Sequence, residues 1–380
     1  MSDQRTDLVG LSHDELKVEM ERIGEKSFRA KQLWQWIYHQ GVTEFDQMTN
    51  ISKSLHGKLA ENFVISRPKV TEELTSTDAT RKWLFEFDDG NEAETVFIPE
   101  TDRGAVCISS QVGCTLTCKF CHTGTQLLVR NLTPAEIIGQ FMAARDSYGE
   151  WPSPPGDKRL LSNIVLMGMG EPLYNYDNVV KAMNIIMDDE GISFSKRRIT
   201  LSTSGVVPEI RRLGEEVKCG LAISLHAATD DVRSEIMPIN KKYPLKDLME
   251  AVRDYPCSNA RRITFEYVMI KGVNDSEADA RALVRLVKDI PCKFNLIPFN
   301  KWPGSDYECS SRNAQHKFVK ILNDAGYTAT IRVTRGQDIL AACGQLKSES
   351  ERTRCSRLKE RLEAGITDDE HELPSAVTVG

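Results

Sequence analysis

The chain has 380 residues, 40% of them hydrophobic, and 49 lysines and arginines stand against 55 aspartates and glutamates for a formal net charge of −6. That length supports one large domain plus a smaller one around a sizeable core, and the acidic balance excludes a protein that grips nucleic acid over its whole surface while leaving room for a local basic patch. No apolar run approaches the roughly 20 residues that span a bilayer and the first ten residues lack a signal-peptide core, so a cytoplasmic location is expected, with ten cysteines serving metal or redox chemistry.

In chain order, Ser12 followed three residues later by Glu15 is a capping box that opens a helix expected to stop at Gly24. A second helix is predicted over 27–39, where Phe28, Leu33, Trp34, Ile37 and Tyr38 recur at helical spacing before Gly41, and a third carries Leu55, Leu59 and Phe63. Trp34, Trp36 and Tyr38 could stack on bases, but aromatics on a short helix read first as the core of a small domain. From about Val70 the period changes to two. Residues 83–87 and 94–98 alternate around Asp88, Asp89, Gly90 and Asn91, a hairpin signal that puts Glu94 on one face with Val96 and Ile98. A carboxylate there is either solvent-exposed or, if partly desolvated, raised in pKa and able to act as a base.

After Pro99 the pattern is strand, loop, helix, repeated six times. Strands are predicted at 105–109, 163–167, 198–202, 220–225, 263–269 and 293–298, and helices at 133–148, 177–189, 208–215, 245–255, 276–290 and 311–325. Six such units imply a parallel sheet with right-handed crossovers, either doubly wound or an incomplete barrel. The divisions expected are 1–66, a helical accessory domain; 67–100, a hairpin linker carrying Glu94; 101–345, the α/β core; and 346–380, a basic helix with an acidic tail expected to be disordered.

The stretch QVGCTLTCKFCHTG places Cys114, Cys118 and Cys121 in C-x3-C-x2-C spacing between the first core strand and its helix. Three cysteines so close suggest metal, because a disulfide would strand the third. A structural zinc site wants four ligands, and only the awkwardly placed His122 is near enough to be a fourth. A four-iron cluster on three cysteines instead leaves one iron open for chemistry. Gly170 and Glu171 follow the second strand, Ser202 ends the third, Ser224, Leu225 and His226 end the fourth, and Asn300 follows the sixth. All lie at carboxyl ends of parallel strands, where ligands bind in both candidate architectures. Gly168 and Gly170 do not make a dinucleotide loop, since Leu173 stands where its third glycine would be; they allow close backbone approach to a ligand, or form a bare tight turn. On residue type alone, Cys107 and Cys343 read as buried inert thiols, as do Cys219, Cys257, Cys292 and Cys309. Basic residues gather at 196–198, 241–242, 261–262 and 352–361, each on its own a solvated face.

The cysteine triad resembles the signature of the radical S-adenosylmethionine (SAM) superfamily. The longer set, Glu94-Thr95-Val96, Cys107, the triad, Gly168 to Pro172 and Ala342-Cys343-Gly344, is similar to the radical SAM RNA methyltransferases that modify adenosine at C2, over roughly residues 12–359. That resemblance implies an incomplete (β/α)6 barrel with an N-terminal helical domain, and a [4Fe-4S] cluster on Cys114, Cys118 and Cys121. It implies SAM contacts at Gly170, Glu171, Ser202, Ser224, Leu225, His226 and Asn300, with two SAM consumed per turnover. It further implies Cys343 as a methyl carrier, Cys107 as the thiol that resolves a covalent protein–RNA adduct, and Glu94 as base. The expected substrates are 23S ribosomal RNA and transfer RNA, the expected electron donor a flavodoxin or ferredoxin, and the expected state a monomer away from membranes. Two alternatives stand beside it: a related enzyme that methylates adenosine at C8, and a non-catalytic cluster or zinc protein that binds RNA or passes electrons.

Overall fold

The structure, a computed structural model, describes residues 5–155, 159–256, 262–348 and 350. The expected basic helix and acidic tail, Cys257, Arg261 and Cys355 lie outside the described residues.

The N-terminal module forms as its caps direct. Ser12 accepts the Glu15 N–H and the Glu15 carboxylate accepts the Ser12 N–H, opening helix His13–Arg22, and the chain turns back at Gly24 with φ +74°. The second helix, Phe28–Trp34, loosens into a π-helical stretch, Gln35–Gln40, before left-handed Gly41 ends it. Trp34 and Tyr38 are buried edge to face with centroids 4.6 Å apart, so these aromatics are core, whereas half-buried Trp36 donates its indole N–H to Asn50.

Ten strands then form one sheet. They are β1 (Lys69–Thr75), β2 (Arg81–Glu86), β3 (Glu92–Pro99), β4 (Gly104–Cys107), β5 (Leu161–Leu166), β6 (Ile199–Thr203), β7 (Gly220–Ser224), β8 (Ile263–Met269), β9 (Cys292–Pro298) and β10 (Thr328–Ile331). Each pairs with its predecessor, antiparallel from β1 to β4 and parallel from β4 to β10. A doubly wound sheet reverses its strand order at a switch point. Here the order never reverses, so every crossover carries the chain the same way round and the sheet curls into an open barrel whose edges are β1 and β10. Its inner surface encloses a cavity lined by residues of every strand from β3 to β9 and by Arg332, just past β10.

Helices Pro134–Tyr148, Tyr176–Met187, Val207–Glu216, Leu245–Asp254, Glu277–Leu286 and Arg312–Asp324 fill the six crossovers, joined by a short helix, Asp230–Ile236, that periodicity did not reveal. Each turns an apolar stripe to the sheet; in Leu245–Asp254 these are Leu245, Leu248, Met249 and Val252, worth about 1.5–3 kcal/mol apiece when fully buried. Two features were not anticipated. β10 adds a seventh parallel strand, and the hairpin, expected as a linker, continues the sheet through β1 and pairs β3 with β4 so that Val96 lies opposite Cys107. No helix among the described residues is long and apolar enough to cross a membrane.

Candidate active site

Beyond Cys107 the chain crosses the carboxyl end of the barrel as the loop that carries the three cysteines. Buried Gln111 pins its start: the amide N–H groups reach Thr115 and Asn131 at 2.8 Å each, while its oxygen accepts the N–H of Thr115 and, at 3.0 Å, of Glu171. Gly124 closes the loop on itself, since a Cβ there would stand 2.5 Å from the Cys118 carbonyl. Cys114, Cys118 and Cys121 open on one cavity of about 400 Å³.

The donor set suits an iron–sulfur cluster better than zinc. Among the described residues no three His, Cys, Asp or Glu side chains converge as ligands of a single ion. In a four-iron cluster each cysteine binds a different iron, so the sulfurs stand apart, and three of them leave one iron without a protein ligand. His122 is committed elsewhere: its ring stacks on Trp302 at 4.8 Å and 10°, and Nδ1 lies 3.2 Å from the Gln345 carbonyl. Burial pushes the Cys114 thiol up to about 12 and raises Cys118 and Cys121 as well, so thiolates here call for a cationic centre between them.

Beside the cysteines lies the loop after β5. Its glycines answer to the protein itself: a Cβ on Gly168 would stand 2.6 Å from Ser109 Oγ, and one on Gly170, at φ +98°, would stand 2.5 Å from Gln111. The space on their Cβ side is taken by the neighbouring strand end, while both glycines also line the cavity. Glu171 is buried, accepting the Leu173 N–H at 3.1 Å and the Ser204 N–H at 2.7 Å; burial raises its pKa, these hydrogen bonds offset part of the rise, and among the described residues no cationic side chain pairs with it to compensate the rest. An ammonium group would supply that compensation.

Ser202, Ser224, His226 and Asn300 line the same cavity, as do Gly170 and Glu171. His226, at φ +58°, accepts the Val268 N–H on Nδ1, which leaves the proton on Nε2; burial drives its pKa down to about 3, so the ring is neutral. Asn300 donates to the Cys343 carbonyl at 3.1 Å. Leu225 does not line the cavity. Its side chain is buried, its N–H goes to the Glu266 carbonyl, and its own carbonyl accepts from Arg233, which fixes the backbone between Ser224 and His226. Arg233, wholly buried, also donates to the carbonyls of Ser204 and Ser224; nothing in its local sequence announced this.

Cys107 and Cys343 both face the cavity, Cys107 buried on β4 and Cys343 presenting accessible surface to the interior. Burial raises both thiols, and each lies within electrostatic reach of another: Cys107 feels Cys343, and Cys343 feels Glu266 and Cys121. The segment after Cys343 is tied to the cysteine loop by His122 N–H to the Gly344 carbonyl (2.7 Å), Thr123 to the Leu346 carbonyl, and Gln126 to Ser348 (2.9 Å). On its other side the Lys347 N–H meets Glu94 Oε2 at 2.7 Å. Glu94 is 4% exposed and its Oε1 pairs with buried Lys82 at 2.7 Å; burial raises its pKa and Lys82 offsets part of the rise. Glu94 itself stands behind this strap and is not among the cavity-lining residues. Lys82 leaves a local signal as a lysine inside an alternating strand that pairs with a glutamate-bearing one, and Glu266 as the lone charge in ITFEYVM.

Of the basic clusters, Arg197 and Arg198 reach the far end of the cavity, and Lys242 lies over the rings of Tyr174 and Tyr243.

An open barrel wound in one direction, with a C-x3-C-x2-C loop and a polar cavity at its carboxyl end, defines a radical SAM enzyme, and residues 108–284 match the radical SAM superfamily. Residues 6–65 match the ribosomal RNA large subunit methyltransferase N-terminal domain. The dual-specificity RNA methyltransferase RlmN of Paramagnetospirillum magneticum is 66% identical over 98% of this chain and 82% of its own length, and that of Rhodospirillum rubrum 68% identical over 95% and 85%. The crystal structure of a radical SAM methyltransferase from Sphaerobacter thermophilus superposes with a TM-score of 0.84 at 42% identity, covering 90% of this chain and 99% of that one. The chain belongs to the RlmN family of dual-specificity RNA methyltransferases.

Proposed function

We propose that this protein methylates adenosine at C2 in 23S ribosomal RNA and in transfer RNA, working as a cytoplasmic monomer that takes electrons from a flavodoxin or ferredoxin and uses two SAM per turnover. The observation that carries the reading is that Cys107 and Cys343 face the cavity on which Cys114, Cys118 and Cys121 open. Adenine C2 is electron-poor and does not attack a SAM methyl group, so a methyl carrier is required, and a thiolate can take the methyl by displacement. Cys343, presented to the interior with Asn300 on its carbonyl, suits that role.

Cys114, Cys118 and Cys121 would hold the cluster and Gly170, Glu171, Ser202, Ser224, His226 and Asn300 would hold SAM, which together would supply a radical able to remove hydrogen from the Cys343 methyl. The activated carbon joins C2, tethering RNA through carbon and sulfur. As C2 gives up its proton the adduct also loses one electron, which the cluster would take back; the Cys107 thiol then loses its proton and attacks the Cys343 sulfur, the carbon–sulfur bond breaks with its electron pair on the departing carbon, that carbon takes up a proton to become the methyl group, and a Cys107–Cys343 disulfide remains for reduction by a thiol before the next turnover. Glu94, its pKa raised by burial, takes the C2 proton; this requires the strap to release the oxygen that Lys347 now occupies.

The C8 alternative would use the same cysteines, and product analysis separates the two. Anaerobically reconstituted protein, given ribosomal and transfer RNA fragments, SAM and a reductant, should yield 2-methyladenosine on nucleoside mass spectrometry against synthetic standards. Finding 8-methyladenosine alone, or no SAM cleavage, would sink the proposal.

A further inference from the structure

The cavity extends beyond the residues assigned to SAM. Barrel interiors are normally filled by branched apolar side chains, yet here the wall includes Thr200, Thr264, Glu266, Lys293, Asn295 and Arg332. Among them are two residues side by side in register, Glu266 on β8 and Asn295 on β9. Asn295 Nδ2 donates to Glu266 Oε1 at 2.7 Å, and among the described residues no group donates to the second Glu266 oxygen. The carboxylate is 6% exposed, so burial raises its pKa, with only Asn295, Arg332 and Lys293 offsetting the rise. That oxygen is not sealed away like a buried atom without a partner but is presented to the cavity, an acceptor offered to whatever enters.

The pair presents a pattern: a free carboxylate oxygen, and next to it an amide with one N–H spent on the carboxylate and a second N–H to give. Adenine offers the complement on its Watson–Crick edge, the N6 amine as donor and N1 as acceptor. Guanine offers the reverse, O6 as acceptor and N1–H as donor, and would set like against like. C2 is bonded directly to N1, so an adenine read on this edge brings C2 to the side of the pocket that holds the edge readers, and Cys343 lies within electrostatic reach of Glu266. C8 lies on the opposite side of the ring system.

We propose that Glu266 and Asn295 are specificity-determining residues that read the N6/N1 edge of the target adenine of the RNA and aim its C2 at Cys343. This rests on the adenosine-C2 reading above and adds the residues that select the base. The adenine of SAM carries the same edge; the target base is favoured because the reacting carbon must meet Cys343, and because Lys293 and Arg332 flank the pair with charge that suits a phosphate-bearing nucleotide.

The test compares wild type, Glu266→Gln and Asn295→Ala on two RNA hairpins, one with adenosine and one with purine riboside at the target position. Purine riboside lacks the N6 amine and keeps N1 and C2–H. Methylation is read by mass spectrometry, hairpin binding by fluorescence anisotropy, and SAM binding to the reconstituted proteins by equilibrium dialysis. On adenosine RNA, Glu266→Gln should lower kcat/KM roughly 10- to 100-fold, the discrimination of a good bidentate base contact. On purine-riboside RNA the same variant should change it by less than about threefold, because the partner of the carboxylate is already gone. Asn295→Ala, which removes the N1 donor and keeps the charge, should weaken both RNAs alike and serves as the test if Glu266→Gln loses its iron. SAM affinity should stay within about twofold of wild type in both variants, since neither residue is assigned to SAM. Equal loss by Glu266→Gln on both RNAs overturns the proposal, and so does loss of SAM affinity, which would assign the pair to the adenine of SAM. Wild-type protein that leaves C2 of the adenosine hairpin unmethylated overturns the C2 reading itself, a separate result.

Discussion

Replacing Lys82 with methionine would remove the cation that faces Glu94 while keeping a side chain of similar length and apolar stem. Both partners are nearly sealed from water, with side-chain exposures of 8% and 6%, and their charged atoms stand 2.7 Å apart. Breaking such a pair by removing one member costs about 3–5 kcal/mol, because the survivor is a buried charge without compensation. Glu94 can escape by taking a proton: from an ordinary carboxyl value near 4.3, becoming neutral at pH 7.5 costs about 1.36 kcal/mol over each of about three units, at most ~4 kcal/mol, and less by as much as Glu94 is already raised with Lys82 in place. The two routes agree, so the variant should lose roughly 3–4 kcal/mol at pH 7.5. The direction with pH follows from Glu94, which already lies above its ordinary value in the fold and rises further without Lys82. A raised acid binds its proton more tightly when folded, so its stabilising effect is present at low pH and is lost as pH rises through the folded value. Urea unfolding of the apo protein, followed by tryptophan fluorescence at pH 5.5, 6.5 and 7.5, should show the deficit shrinking by up to ~1.4 kcal/mol per unit of acidification. Adding Glu94→Gln to Lys82→Met should recover most of it. A deficit below about 1 kcal/mol with no pH dependence, the size of an exposed ion pair, would refute the reasoning.

Alanine at any one of Cys114, Cys118 or Cys121 should abolish iron binding and SAM cleavage together, and a variant that keeps its full iron content would remove that cysteine from the ligand set. The purified protein should carry a single methyl increment on the peptide with Cys343, checked by intact and peptide mass; the same increment on Cys355 would reassign the carrier. Cys107→Ala should still consume SAM but accumulate RNA crosslinked to protein, seen as a nuclease-sensitive shift on a denaturing gel. Normal release of methylated RNA by that variant would mean that a thiol from solution opens the adduct.

Periodicity and caps alone determined most of the elements here. The capping box at Ser12, the alternation around Asp88 to Asn91 and the six strand–helix units all lie within a few residues of where the local pattern puts them, because side-chain direction in a helix or strand is set by its own repeat. The triad announced its chemistry for a similar reason: three thiols within eight residues are held together by the chain itself. Local pattern is silent on which edge of the sheet a new strand joins, so the choice between a doubly wound sheet and a barrel waited for the strand order. It also missed β10, whose TATI has one buried residue and too short a repeat to register. The contacts that shape the site are distant in sequence: Lys347 on Glu94 across 253 residues and Gln126 on Ser348 across 222. The pairing of Lys82 with Glu94, and of Glu266 with Asn295, depends likewise on strand register. No window of sequence contains both members of the long-range contacts, and only the closed fold decides that Glu94 stands behind the strap while Glu266 looks into the cavity.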